Sequence, residues 1–385
     1  MADTFIPLER AHEPDRVYLL ACDFCARCGQ IQTRTVTDPA ERYAAVDYSY
    51  TSSNSKTSRD HWTAYALRVA GQVGLRTGDV VVEVGSNDGF LTERFAEAGC
   101  RVLGVDAAPA MAKLAAERKV STVVALFNDE CLPQIRAQQP EPPKLIAANN
   151  VYNHADDPVG FARAVASLLA RDGTFVFEVP YWVVSVRERK FDMIYHEHVN
   201  WFTVTYARNL FERVGMKVVH VDEVDYHGGS IRVFVRHADT TAAPIPGACD
   251  LEAYVVREKA MGLFDVATYT AYARDVRARR NEFLEKVYAL LNRGERIVCV
   301  GAAAKANTFL NYYNLDASII DCVTESSPSK IGKFTPRTRI PIRPDSELQR
   351  YESVHVIITS WNLSTALQGI LLKINPRIQF LNPYV

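Results

Sequence analysis

The chain has 385 residues, long enough for two or three compact units rather than one. Its 44 Lys and Arg against 45 Asp and Glu leave a net charge of −1, which excludes the basic excess that nucleic acid or an anionic membrane requires. With 48% apolar and 23% charged residues, the mix is that of a globular protein with a substantial core, and no run of about 18 apolar residues is present to cross a bilayer.

Residues 1–20 carry charges where a secretory leader needs an apolar stretch, and eight cysteines in so long a chain do not make a disulfide scaffold. A reducing cytoplasm is therefore the expected setting. Cys22, Cys25 and Cys28 crowd near the start, and the polar stretch that follows, residues 48–56, reads as a loop or linker. From there the pattern alternates. A helix over 61–73 precedes an apolar strand at 80–84, a helix over 90–98 and a strand at 101–106. Further strands are expected at 122–127, 144–149 and 174–179 with helical stretches between, and an antiparallel edge pair at 217–221 and 230–235. Short buried strands separated by helices are the signature of a parallel sheet covered on both faces. The Pro- and Gly-bearing stretch 240–247 marks a boundary. Helices over 250–262 and 267–292 follow, and β/α alternation then restarts, with strands at 296–300, 318–323 and 355–359 and helices from Ala304 and after Trp361. The expected fold is α/β in three parts: an N-terminal lobe (1–60), a doubly wound unit (61–240), and a helical linker with a smaller Rossmann-like unit (241–385).

The most informative segment is Glu83-Val-Gly85-Ser-Asn87-Asp-Gly89, where a strand turns into a helix. Glycines there let the backbone approach a ligand at the carboxyl edge of the sheet. Asn87 stands where a dinucleotide fingerprint has its second glycine, and no phosphate-cradling G-x-x-x-x-G-K-[ST] is present. Asp106 closes the next strand, where a carboxylate accepts hydrogen bonds from ribose hydroxyls. A ribose site without phosphate features suits S-adenosylmethionine. Phe127 is a candidate wall for its adenine, and Asn149 and Asn150 close the fourth strand beside the same crevice. Titratable groups concentrate in two places: His154, just past that strand, and Tyr195-His196-Glu197-His198. Imidazole is the side chain most able to take a proton near neutral pH, with a neighbouring Glu or Tyr to orient it. In an extended stretch Tyr195 and Glu197 share one side and the two histidines the other, whereas in a turn three of the four converge. H-E-H is not the zinc protease pattern. His227-Gly-Gly-Ser230 with Arg232 forms a further polar turn, with glycines that can admit a substrate closely and an arginine that can hold an anion.

Taken together, E-x-G-x-N-x-G, A-N-N-V-x-x-H, F-E-V-P-Y, Y-H-E-H, H-G-G-S-x-R and G-A-x-x-K-x-N resemble the deoxysugar C-methyltransferases over nearly the whole chain. The resemblance implies a class I methyltransferase sheet, S-adenosylmethionine as donor, and methylation of a ring carbon, commonly C3, of a nucleotide-linked 4-keto-6-deoxysugar. It implies His198 as general base, with Tyr195, Glu197 and His154 lining the sugar pocket and Tyr48 or Tyr50 reaching in from the N-terminal lobe. Gly301-Ala-Ala-Ala-Lys305-Ala-Asn307, with Ala306 replacing the family's glycine, would help hold the nucleotide diphosphate, and His227, Ser230 and Arg232 the substrate. The family also carries a zinc knuckle of two C-x-x-C pairs. Here Cys25 and Cys28 match the second pair, the first is missing, and Cys22 and His12 are the substitute ligands at hand. The molecule is expected as a monomer or dimer. An O- or N-methyltransferase of a small natural product, or a sensor without turnover, are the rival readings.

Overall fold

The structure is a computed structural model that describes residues 4–44 and 51–384. Tyr48 and Tyr50 lie outside the described residues. In the N-terminal part, β1 (Cys22–Phe24) and β2 (Ile31–Thr33) form a hairpin. The main unit opens with α1 (Lys56–Val73), whose N-cap Ser55 accepts from the Ser58 N–H and whose C-cap Gly74 sits at φ 75. Its buried Trp62, Ala66, Val69 and Val73 recur at helical spacing and form the stripe laid on the sheet.

Five parallel strands follow: β3 (Val80–Val84), β4 (Arg101–Asp106), β5 (Thr122–Val124), β6 (Leu145–Asn149) and β7 (Thr174–Pro180). Between them run α2 (Phe90–Glu97), α3 (Pro109–Glu117), α4 (Leu132–Gln138) and α5 (Pro158–Leu168). Every residue of β3 and β7 is buried, as continuous apolar runs in a two-sided sheet must be. After β7 come α6 (Trp182–Glu188), the two-residue β8 (Asn200–Trp201), α7 (Val204–Glu212), β9 (Met216–Val224) and β10 (Ser230–His237). The sheet order is β5-β4-β3-β6-β7-β10-β9, with β10 antiparallel to both neighbours, as expected of the edge pair. β8 does not join it. It pairs with β2, so the N-terminal hairpin docks directly behind His198.

Next come α8 (Leu251–Ala260) and the long α9 (Val266–Asn292). The last unit contains β11 (Ile297–Val300), α10 (Ala304–Tyr313), β12 (Val323–Glu325), β13 (Ile342–Pro344), β14 (Val354–Ile358), α11 (Ser364–Ile374) and β15 (Ile378–Leu381). Its all-parallel order is β13-β12-β11-β14-β15. Phe5 belongs to its core, and Ile6 exchanges backbone hydrogen bonds with Phe334, so the start of the chain is stitched to the far end of the molecule.

Two strands are shorter than the sequence predicts. Residues 317–319 form a turn, with 320–322 irregular up to β12, because Asp316 accepts from both the N–H and the hydroxyl of Ser318 at 2.9 and 2.6 Å, and its carbonyl accepts from Ile319 and Ile320. β5 ends at Val124, before the cavity-lining residues 125–127. No helix among the described residues is long and apolar enough to cross a membrane.

Candidate active site

A cavity of about 1140 Å³ opens along the carboxyl edges of β3, β4 and β6 and continues to the carboxyl edge of β11. Gly85, Asp106, His198 and Lys305 all line it. At the first end, Gly85 sits at φ 68, and a Cβ there would lie 2.1 Å from the Val151 side chain. Gly89, at φ 75, caps α2, where a Cβ would press on Ala115 at 3.0 Å. Between them Asn87 adopts φ 52, which aims its N–H at Asp106 Oδ2, 2.8 Å away, while Ala108 N–H reaches Oδ1 at 2.8 Å. Each oxygen of Asp106 therefore holds one backbone donor and keeps acceptor capacity for a ribose hydroxyl. Burial raises the Asp106 pKa against the pull of those two bonds. The Ser52 and Ser53 hydroxyls bond to Asp88, and Ser52 N–H to Asn87 Oδ1, so the N-terminal segment folds down over this turn. Glu83 accepts from the Thr92 hydroxyl, and burial pushes its carboxyl up to about 8. Phe127 lines the cavity with its ring 4.8 Å from that of Phe161, and Asn149 Oδ1 accepts from Glu178 N–H at 3.0 Å.

Residues 195–198 form a turn closed by His198 N–H on the Tyr195 carbonyl at 2.9 Å. Tyr195, Glu197 and His198 reach the cavity, whereas His196 faces the N-terminal lobe, 5.8 Å from the Tyr18 ring. His198 Nδ1 lies 2.9 Å from the Met193 carbonyl, an obligate acceptor, so the proton of the neutral ring is on Nδ1. Its Nε2 lone pair takes the Tyr195 hydroxyl at 2.6 Å. Burial first, then the neighbouring His154, holds His198 well below the usual imidazole range, so it stands as a free base. The two rings are 5.2 Å apart. His154 Nδ1 meets the Tyr43 hydroxyl at 3.2 Å, and burial with the Arg42 charge drops its pKa to about 3. Arg42 is itself buried and paired with Asp156.

At the far end Lys305 lies over the Trp361 ring at 4.2 Å and bonds to Asn362 Oδ1; burial lowers its pKa to about 8, with Asp192 opposing. Glu325 closes β12 as Asp106 closes β4. Its oxygens accept from the N–H groups of Ala302, Ser326 and Ser327 at 2.8, 2.8 and 3.0 Å. Lys330 reaches over to the Ala302 carbonyl at 2.8 Å. Sequence reasoning missed Glu325, although the rule that picked out Asp106, an acid ending the strand beside a glycine turn, applied to it equally. His227, at φ 50 and pushed down to about 4 by burial and Lys305, faces the same cavity.

Several expectations need correction. Ser230 does not line the cavity, and its hydroxyl is committed to the Tyr226 carbonyl at 3.0 Å. Arg232 is not free for an anion, because both its Nε and Nη2 bond to the buried Glu178, at 3.0 and 2.8 Å. Asn307 is buried within α10 and does not line the cavity. The glycine pair admits protein rather than substrate: a Cβ on Gly228 would lie 2.4 Å from Trp361, and one on Gly229 2.9 Å from Val184. The zinc ligands do not assemble either. Cys25 and Cys28 face each other across the hairpin turn, but Cys22 is turned toward Thr33 and Trp201, and His12 sits in an exposed turn beside the Arg339 contacts. Among the described residues no group of three or more His, Cys, Asp or Glu is placed to hold a metal.

A methyltransferase domain model matches residues 57–221, and the C-methyltransferase C-terminal domain matches residues 225–374. C-methyltransferase NovU of Streptomyces niveus is 31% identical over 338 residues, 88% of this chain and 79% of that protein. A ubiquinone biosynthesis O-methyltransferase of Xanthomonas campestris pv. campestris is 32% identical, but over only 28% of this chain and 44% of its own. Among solved structures, magnesium protoporphyrin IX methyltransferase from Synechocystis PCC 6803 with bound SAM aligns at 15% identity and a TM-score of 0.34, covering 47% of this chain and 78% of that one. The chain belongs to the C-methyltransferase family, as an S-adenosylmethionine-dependent enzyme of class I methyltransferase fold.

Proposed function

We propose that the enzyme methylates a ring carbon, C3, of a nucleotide-linked 4-keto-6-deoxysugar through a base-generated enolate. The observation that carries this reading is an uncharged imidazole, His198, with its proton fixed on Nδ1, sharing one cavity with Asp106 at one end and Lys305 at the other. Asp106 and the Gly85–Gly89 turn would hold the ribose and backbone side of S-adenosylmethionine, with Phe127 beside the adenine. When bound, the donor supplies an electrophilic methyl on a sulfonium.

The keto group acidifies the neighbouring C–H, and His198 Nε2 takes that proton while the electron pair moves onto the C4 oxygen. For Nε2 to act, the Tyr195 hydroxyl that now caps it turns to the C4 oxygen, so one rotation exposes the base and supplies an enolate donor. His154, neutral throughout the working pH range, is a second donor beside it. Lys305 and the start of α10 would hold the diphosphate. The chain would then work as three parts, 1–60, 61–240 and 241–385, with the sugar between the second and third.

The test offers uridine- and thymidine-diphosphate 4-keto-6-deoxyhexoses in deuterated water to the wild type and to His198→Asn. Wild type exchanges the C3 proton and transfers methyl; the variant should do neither. Undiminished exchange in the variant removes His198 as base.

A further inference from the structure

The chemistry above makes no use of Asp192, yet this acid of the catalytic loop is fully buried. Its Oδ2 accepts from Trp361 Nε1 at 2.7 Å and from the Tyr384 hydroxyl at 2.8 Å. Both donors belong to the C-terminal β/α unit. Charge-assisted bonds of this length in a closed site are the strong kind. The loop is tied to the same unit on either side. The Phe191 ring packs 4.9 Å from Tyr312 and 5.9 Å from Tyr313, and the Thr308 hydroxyl donates to the Ile194 carbonyl at 3.2 Å. Met193 lies between these anchors, and its carbonyl is the one that receives His198 Nδ1–H.

Trp361 is held equally firmly. Lys305 sits over its ring at 4.2 Å, and Lys190 at 4.8 Å also donates to the Gly228 carbonyl at 2.5 Å. Gly228, at φ 83, leaves room for the indole where any Cβ would strike it. One side chain thus touches the cavity lysine, the turn that carries His227, and the acid next to Met193.

We infer that Trp361 and Asp192 are positioning residues through which the C-terminal unit fixes the tautomer of His198. Which imidazole nitrogen carries the proton is set by the hydrogen bond made by the other. With the Met193 carbonyl held in place, the proton stays on Nδ1 and the lone pair of Nε2 points into the cavity. If the carbonyl is released, the proton is free to move to Nε2, and the base loses its lone pair on the substrate side. Lys305 stacks on the same indole, so the grip on the nucleotide end and the state of the base share one element. The kinetic consequence rests on the proposed function; the tautomer itself does not.

The experiment uses the full chain with nitrogen-labelled imidazoles and long-range proton–nitrogen NMR, His198 being identified among the nine histidines by its loss in His198→Asn. Trp361→Phe keeps a ring and deletes the donor; Tyr384→Phe and Asp192→Asn cut the same junction from other sides. Wild type should show His198 protonated on Nδ1. In Trp361→Phe the Nε2–H form should become visible, with kcat on the keto-sugar falling about tenfold, the scale of one lost hydrogen bond to a charged group. The dissociation constant for S-adenosylmethionine should stay within about twofold, since Trp361 lies outside that end of the cavity. A shifted tautomer in an enzyme that methylates no sugar would sustain the clamp and count against the proposed substrate. His198 signals identical to wild type in both Trp361→Phe and Asp192→Asn would overturn the inference.

Discussion

Arg232→Met removes the partner of a carboxylate that water cannot reach. Glu178 on β7 is 0% exposed and stands directly across from Arg232 on β10, which gives it two bonds to Oε2 at 3.0 and 2.8 Å. Its other oxygen meets His61 Nε2 at 2.7 Å, and the guanidinium also lies 4.4 Å over the Tyr65 ring. Removing one member of such a buried pair costs roughly 3–5 kcal/mol, and the surviving His61 contact places the expected loss at about 3 kcal/mol. The pH dependence has a definite sign. In the wild type, burial would raise the Glu178 pKa, but the His61 bond and the Arg232 charge hold it below the usual value. Its contribution to stability is therefore present above the unfolded carboxyl range and lost as pH falls through the lower folded value. In the variant burial wins, the carboxyl moves up, and stability from this group rises as pH falls. The loss should be largest near neutral pH and shrink in acid. Urea unfolding followed by Trp fluorescence at about pH 7.5 and about pH 5.5 measures both, with KM for the proposed keto-sugar taken on the folded fraction. A variant of unchanged stability and greatly raised KM would refute the structural role and return Arg232 to the substrate.

Other substitutions probe other parts of the account. Asp106→Asn places an amide where two backbone N–H groups need acceptors, and should weaken S-adenosylmethionine binding by at least about tenfold in calorimetry; an unchanged affinity would exclude Asp106 from the donor site. Tyr195→Phe deletes the 2.6 Å bond to Nε2 and should lower kcat about a hundredfold with little change in KM. Cys25→Ser with Cys28→Ser should leave stability within about 0.5 kcal/mol, as expected of an exposed and a half-buried cysteine outside any ligand set assembled among the described residues; a large loss together with stoichiometric zinc in the wild type would reinstate the knuckle. Gly228→Ala meets both a positive φ and the indole of Trp361, and should cost about 1–3 kcal/mol in thermal unfolding.

The main sheet was legible because its strands are buried on both faces and therefore read as unbroken apolar runs. Gly85, Asn87, Gly89 and Asp106 were legible because a strand-to-helix turn restricts which residues fit it. The short β1, β2 and β8 escaped notice: two or three residues carry no periodicity, and β8 is fixed by a partner about 170 residues earlier in the chain. The 318–323 stretch misled because its apolar residues look like a strand, while Asp316 bends its start into a turn and only Val323 enters β12. Charge and glycine content were poor guides to role. Arg232 and the Gly228–Gly229 pair sit in a motif beside the cavity yet serve the protein interior, because burial and cross-strand register, invisible in sequence, decide what a side chain meets. Asp192 is the converse case, ordinary in sequence and enclosed by donors that lie 169 and 192 residues away.

In the proposed reaction the methyl arrives on carbon beside a ketone. Labelling the donor methyl isotopically and following its carbon in the product by NMR tests this directly. The labelled methyl is expected to couple to a ring carbon adjacent to the C4 carbonyl of the sugar. A label attached through oxygen or nitrogen would contradict it.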